Sequence, residues 1–129
     1  MGKKGFKDLV VWQKAKDLAV IIYRISNKTL LSKDFSLRDQ IRRSAVSIAS
    51  NIAEGDERDT DKESVRFFFI AKGSLAELKT QIEIAFEIGY LPEDDYDKIE
   101  GQCEELGKMI GRLIKVRQAT YSPSPIAQI

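Results

Sequence analysis

The chain has 129 residues, of which 43% are hydrophobic and 32% charged, a composition typical of one soluble, helix-rich domain. It contains no histidine, which removes the commonest general base and zinc ligand, and its single cysteine excludes an internal disulfide framework. No apolar run approaches the roughly 20 residues of a membrane span. No signal-peptide core follows the first lysines, so we expect a cytoplasmic protein with no membrane partner.

The net charge of +1 conceals an uneven distribution along the chain. Residues 1–50 carry 11 Lys and Arg against 4 Asp and Glu, residues 51–105 carry 6 against 16, and residues 106–129 carry 4 against none. The local net charges are therefore +7, −10 and +4. Such segregation indicates either helices that neutralise one another within the assembly or a surface that attracts a charged partner.

The first residues predict a mobile, basic lead-in over 1–8, followed by a helical domain over 9–118. A helix is predicted from about Val10 to Lys28, because its apolar residues recur every three or four positions. These residues are Val11, Ala15, Leu18, Ile22 and Ile25. Trp12, Ala19 and Tyr23 widen this apolar stripe beyond what a single packing seam requires.

A second helix is predicted to begin at Ser36, whose hydroxyl can cap free amides, with Asp39 in the capping-box position. Its apolar residues again follow helical spacing: Leu37, Ile41, Ala45, Ile48 and Ile52. Gly55 is well placed to adopt the left-handed backbone that closes a helix.

A third helix is predicted to begin after Thr60, with Glu63 completing a capping box, and to end at Gly89. Its core seam consists of Phe68, Ala71, Leu75, Leu78, Ile82 and Ala85. Several large apolar residues remain once that seam is filled, and exposed apolar patches usually mark interfaces. The sequence therefore predicts an oligomer interface formed by Phe67, Phe69, Ile70 and Phe86.

Pro92 and the three acidic residues after it predict the start of a fourth helix. Its apolar stripe is Tyr96, Ile99, Cys103, Leu106, Ile110 and Leu113. Residues 119–129 predict a disordered tail, since two prolines interrupt them. Four helices with short connections predict an all-α fold, an antiparallel up-and-down four-helix bundle in a single domain.

Sequence motifs for chemistry are lacking. We find no phosphate-binding glycine loop, no paired-cysteine site and no Glu-x-x-His pair, so we expect no catalytic residue, cofactor, metal or small-molecule substrate. Glu83 and Glu87 lie one helical turn apart, which an exposed polar face explains better than a metal site.

Basic residues form three clusters that could contact nucleic acid. They are Lys3, Lys4, Lys7 and Lys14, then Arg38, Arg42 and Arg43, then Lys108, Arg112, Lys115 and Arg117. Cations in the last cluster also suit the negative end of a helix. The isoelectric point near 7.8 is modest beside that of a dedicated nucleic-acid-binding domain.

A polar corner is predicted where the second helix ends. It would contain Asn51, Glu54, Gly55, Lys72 and Glu77. We interpret it as structural, with Asn51 and Glu54 holding the chain reversal. Lys72 could pair with Glu54 or Glu77, line an oligomer pore, or extend outward along its alkyl stem. The alternative is a polar spot that recognises a ligand.

The segment over residues 39–55 resembles the hallmark of the bacterial four-helix-bundle family associated with 23S rRNA intervening sequences. Residues 69–78, followed by Ala85 and the Gly89-Tyr90-Leu91 turn, resemble its second signature, and residues 6–15 fit its opening. The resemblance covers roughly residues 6–117. It departs from the family pattern at Ala49, where proline is usual, so the second helix is expected to be straighter here.

This resemblance implies a homopentamer of antiparallel bundles without an established enzymatic activity. It leaves two functional hypotheses open. In the first, a homo-oligomer binds structured RNA or a ribonucleoprotein through its basic clusters. In the second, the protein is an interaction or scaffolding ring with no affinity for nucleic acid.

Overall fold

The computed structural model describes residues 5–121, which form helices and short connections and contain no strand. The helices are α1 (Val10–Lys28), α2 (Phe35–Asp56), α3 (Asp61–Glu87) and α4 (Glu93–Tyr121). Two 3-10 turns, Phe6–Asp8 and Leu30–Lys33, precede α1 and α2. The prediction of an all-α chain with four helices is confirmed.

The helices pack as an up-and-down bundle. Each one contacts the helix before and after it in the chain, and α4 returns to contact α1. The connections are short, so consecutive helices run antiparallel. None of the helices within residues 5–121 is long and apolar enough to cross a membrane.

Two predicted boundaries differ from the structure. Within the lead-in over 1–8, Phe6–Asp8 forms a 3-10 turn. Within the tail over 119–129, residues 119–121 belong to α4, and the Thr120 hydroxyl there donates to Asp61 and to the Arg117 carbonyl. Residues 1–4 and 122–129 lie outside the described part of the chain.

The core follows the predicted apolar periodicity. All five predicted stripe residues of α1 and all six seam residues of α3 are buried. In α4 the stripe is buried at Ile99, Cys103, Leu106 and Ile110, but Ile114 rather than Leu113 completes it. A stripe that drifts around a straight helix explains the change, because 3.6 residues per turn does not divide evenly into a strict three-four spacing.

Glycine at position 55 allows α2 and α3 to approach closely. Gly55 is helical and buried, and its φ angle is not positive. A Cβ atom there would lie 2.6 Å from Cε1 of Phe68 and 3.0 Å from Cβ of Phe67. The predicted left-handed role of Gly55 is therefore wrong, since the residue is needed for space and not for backbone conformation.

Hydroxyl groups continue this close α2–α3 contact toward the middle of the bundle. The Ser44 hydroxyl donates to Oε1 of Gln81 at 2.9 Å, and the hydroxyls of Ser47 and Ser74 share a hydrogen bond of 2.9 Å. Small side chains permit the approach, and these bonds satisfy their polar atoms.

The helix ends are capped at three places. Thr60 Oγ1 accepts from the Glu63 amide, which confirms that predicted cap. Gly89 has a φ angle of +87° and ends α3, as predicted. The cap of α2 is instead Asp34, whose Oδ1 accepts from the Leu37 amide, and not Ser36. Asp34 Oδ2 also accepts from the Tyr90 hydroxyl at 3.1 Å, a contact that ties this cap to the α3–α4 turn.

Candidate nucleic-acid interface

Arg42 projects from α2 onto the end of α1 and is held there by uncharged groups. Its Nε donates to the Ser26 hydroxyl at 2.8 Å and its Nη2 donates to Oδ1 of Asn27 at 2.7 Å. The guanidinium carbon lies 4.6 Å from the centre of the Tyr23 ring. Because none of these partners carries a negative charge, Arg42 is ordered while its positive charge stays available.

Arg38 and Arg43, the other predicted arginines on α2, differ in their surroundings. Arg38 Nε donates to Oδ1 of Asp39 at 3.0 Å, and its guanidinium lies over the Phe35 ring at 4.7 Å. Arg43 is exposed and forms no ion pair with any residue in the range 5–121. Arg43 and Arg42 therefore carry the available charge at this end of α2, and Arg38 is largely neutralised.

A groove runs between α1 and α2 beside these arginines, and we call it the α1–α2 groove. It consists of two adjoining concavities of about 490 and 650 Å³. Tyr23 and Val46 line both, and they are 43% and 42% exposed. The smaller concavity is also lined by Asp39, Arg42, Arg43 and Ser47. The larger is also lined by Trp12, Lys16, Ala19, Val20, Arg24, Ala49, Ser50 and Ala53.

Arg24 is a residue that the sequence analysis missed. It lies on α1, lines the larger concavity, and is exposed without an ion pair to any other described residue. Its rim position follows from the α1–α2 crossing, which periodicity does not specify. A signal for the groove itself was present, since Trp12, Ala19 and Tyr23 widened the apolar stripe of α1 beyond one seam.

The predicted basic residues on α1 and α4 do not border the α1–α2 groove. Lys14 is near the start of α1, and its Nζ lies 3.2 Å from Oε1 of Glu105. Exposed positions on α4 carry Lys108, Arg112 and Lys115. The antiparallel topology places this half of α4 at one end of the bundle, whereas Arg42 contacts the end of α1 at the opposite end. The predicted clusters therefore do not form one continuous patch within a single chain.

The predicted polar corner does not form as a unit. Asn51 Nδ2 donates to the Ser47 carbonyl and hydroxyl oxygens at 2.9 and 3.0 Å, so it bonds within its own helix. Glu54, Lys72 and Glu77 are exposed, and no ion pair connects them to one another in the described structure. The expected pairing of Lys72 with Glu54 or Glu77 is absent there, and Lys72 extends into solvent.

The chain reversal near Gly55 is held by a different polar cluster. Arg117 Nη2 donates to Oδ1 of the buried Asp56 at 2.8 Å, and its Nη1 lies 3.6 Å from Oδ1 of Asp61. The guanidinium also lies 5.4 Å from the centre of the Phe68 ring. These contacts fasten the last turns of α4 to the α2–α3 connection.

Two of the four residues predicted to form the oligomer interface, Phe67 and Phe86, contact other side chains of the same chain. The Arg58 guanidinium lies 4.3 Å from the centre of the Phe67 ring, and Phe86 stacks on Tyr96 at 4.1 Å. Phe69 and Ile70 are 47% and 51% exposed. Ile84, further along α3, and Ile88, which directly follows it, are exposed as well. Of the four residues predicted to form the oligomer interface, Phe69 and Ile70 therefore stay available to another subunit, on the outer side of α3.

The carboxylates of α3 interact with Tyr96 and with each other. The Tyr96 hydroxyl donates to Oε1 of Glu83 at 2.5 Å, a bond that raises the pKa of Tyr96 to about 12 and lowers the pKa of Glu83. A hydrogen bond with Glu83 raises the pKa of Glu87. No cluster of metal-ligating side chains is found within residues 5–121.

Comparisons with protein families and with solved structures each find a match for this chain. A model of the 23S rRNA-intervening sequence protein family matches residues 7–112. A crystal structure from Bacteroides thetaiotaomicron VPI-5482 is similar, with a TM-score of 0.75 and 26% sequence identity. It covers 82% of this chain and 99% of its own chain, and is described as a protein of unknown function from the S23 ribosomal protein family. No curated protein matches the chain.

Proposed function

Because the chain belongs to the 23S rRNA-intervening sequence protein family, we propose that it is a non-enzymatic, homo-oligomeric bundle that binds structured RNA or a ribonucleoprotein. The α1–α2 face is the contact surface. The supporting observation is that Arg24, Arg42 and Arg43 share this face without an acidic partner among the described residues. Unpaired guanidinium groups bind phosphate oxygens in a planar, two-pronged geometry.

Self-association strengthens such binding. Exposed residues on α3 and directly after it give an apolar surface of the kind that other subunits cover: Phe69, Ile70, Ile84 and Ile88. In a ring of five subunits, the expected number in this family, each arginine cluster would occur five times. Binding of one cluster then raises the effective concentration of the others near the same RNA, so individually weak contacts add up.

The alternative is a scaffolding ring that uses the α3 surface for assembly and binds only protein. The same exposed apolar residues favour it, and the modest net charge of +1 agrees with it. The two functions differ in one measurable property, which is affinity for RNA at low salt.

The test measures RNA binding by fluorescence anisotropy over a range of salt concentrations. The informative variant is Arg24→Gln/Arg43→Gln, because neither side chain bonds another residue in the described structure and folding should be unaffected. If each arginine contacts one phosphate of a single-stranded segment, the negative slope of log K against log salt should become less steep by about 1.4. The matched control, Lys72→Gln/Lys98→Gln, removes the same charge from exposed positions on α3 and α4 and should leave binding nearly unchanged.

Two outcomes would contradict the proposal. Equal losses in the two double variants would mean that net charge alone attracts RNA. Absence of binding by the wild-type protein at low salt would favour the scaffolding ring. Native mass spectrometry of protein purified without nuclease supplies the oligomeric state, and extra mass that ribonuclease removes would support RNA binding.

A further inference from the structure

We propose that the α1–α2 groove holds an unpaired nucleobase, so that the protein selects single-stranded segments of RNA over duplex. This inference rests on the proposed RNA binding by the same face. Single-stranded nucleic acid is typically bound by cations that contact the backbone and by aromatic or apolar surfaces that receive the splayed bases. The groove places both features side by side.

Its floor suits a flat apolar ring. Tyr23 and Val46 stand exposed at the junction of the two concavities, and small residues line the larger one, including Ala19, Ala49 and Ala53. Volumes of about 490 and 650 Å³ fall within the roughly 300–1,000 Å³ typical of small-ligand sites. Duplex RNA keeps its bases stacked and paired, so it cannot insert one here without the cost of unpairing it.

The cations lie where the backbone on either side of an inserted base would pass. Arg24 borders the larger concavity, and Arg42 and Arg43 border the smaller one. Asp39 is the carboxylate on this wall among the described residues, and Arg38 neutralises it at 3.0 Å. Arg42 is already ordered by Ser26, Asn27 and Tyr23, so binding costs it little side-chain entropy.

A built-in reporter makes the groove testable. Trp12 is the sole tryptophan of the chain and lines the larger concavity. Trp12 precedes Tyr23 by eleven residues on α1, or about 16 Å, so a segment of RNA that fills the groove beyond the base on Tyr23 would change the emission of Trp12, whereas RNA bound only through its phosphates would leave it unaltered. The experiment therefore records tryptophan emission and anisotropy together, with a short single-stranded RNA and with a duplex of the same sequence.

The expected result is that single-stranded RNA binds more tightly than duplex and quenches Trp12 emission. Tyr23→Ala should weaken single-strand binding by about 5- to 150-fold, the range for loss of one base-stacking side chain. Duplex binding should fall by a smaller factor, which reports only the loss of the Tyr23 ring beside Arg42. Tyr23→Phe keeps the ring and should restore most of the affinity. Tyr121→Ala, which removes another exposed tyrosine at the end of α4, is the matched control and should behave as wild type.

Each contrary result has a distinct meaning. Equal affinity for single strand and duplex with unchanged Trp12 emission would overturn the inference while the proposed RNA binding stands. No binding of either RNA at low salt would overturn both. Emission that changes with protein concentration in the absence of RNA would show that a second copy covers the groove. Quenching by an acidic amphipathic peptide but not by RNA would assign the groove to a protein partner, and both results would overturn the inference.

Discussion

Replacing Gly55 with alanine tests whether the α2–α3 contact depends on the missing side chain. The new Cβ would lie 2.6 and 2.9 Å from two ring carbons of Phe68 and 3.0 Å from Cβ of Phe67. Carbon atoms in contact prefer about 3.5–4.0 Å, so the helices would have to separate by roughly 1 Å at this point. Phe68 is completely buried and cannot turn away into solvent.

The magnitude follows from two opposing contributions. Overpacking of a well-packed core costs about 1–3 kcal/mol. Alanine in place of helical glycine recovers about 0.5–1 kcal/mol of that cost. The difference lies between about 0 and 2.5 kcal/mol, so we expect Gly55→Ala to lower the free energy of unfolding by about 1.2 kcal/mol, the middle of that range. At about 4 °C per kcal/mol for a chain of this size, Tm should fall by roughly 5 °C.

The assay is thermal and urea unfolding followed by circular dichroism. Gly101→Ala is the matched control, because Gly101 is also helical but a Cβ there meets nothing within 4 Å. It should therefore raise the free energy of unfolding by about 0.5–1 kcal/mol. If Gly55→Ala were as stable as Gly101→Ala, steric crowding would not be the reason for glycine at position 55.

Two further predictions concern buried polar groups. Arg117→Met should lower the free energy of unfolding by about 3 kcal/mol in urea titrations, because it removes the cation beside the fully buried Asp56 side chain. Adding Asp56→Asn should recover part of that loss, and a loss below about 1 kcal/mol for Arg117→Met would contradict the role given to this ion pair. Burial raises the pKa of the Cys103 thiol to about 12, so it should stay neutral and react slowly with thiol reagents near pH 8, but quickly once the chain is unfolded. Because the pKa of Cys103 is higher in the folded than in the unfolded chain, the neutral thiol favours the folded state below about pH 9, and that contribution is lost as the pH rises toward 12. Equal labelling rates of folded and unfolded protein would show that the thiol is accessible in the folded state.

The number of helices and most of the core could be predicted from sequence. Periodicity places Val11, Ala15, Leu18, Ile22 and Ile25 on one side of α1 because side chains three and four positions apart share a face of any α-helix. The end of α3 at Gly89 was also predictable from local sequence, because the left-handed backbone that ends a helix favours glycine.

Helix ends with more than one good cap were less predictable. Asp34 and Ser36 are both suitable N-cap residues, and the local sequence does not choose between them. The structure selects Asp34, whose second carboxylate oxygen accepts from the hydroxyl of Tyr90, 56 positions away in the chain. A contact over that distance in sequence has no local signal.

The candidate site also contains some features that the sequence determines and others that only helix packing determines. The sequence determined that Arg42 and Arg43 occur near the start of a helix and that Trp12 and Tyr23 widen the apolar stripe of α1. Only the crossing of α1 and α2 decided that these residues share a groove with Arg24. Helical spacing specifies which residues share a face, whereas the packing of two helices specifies which faces meet.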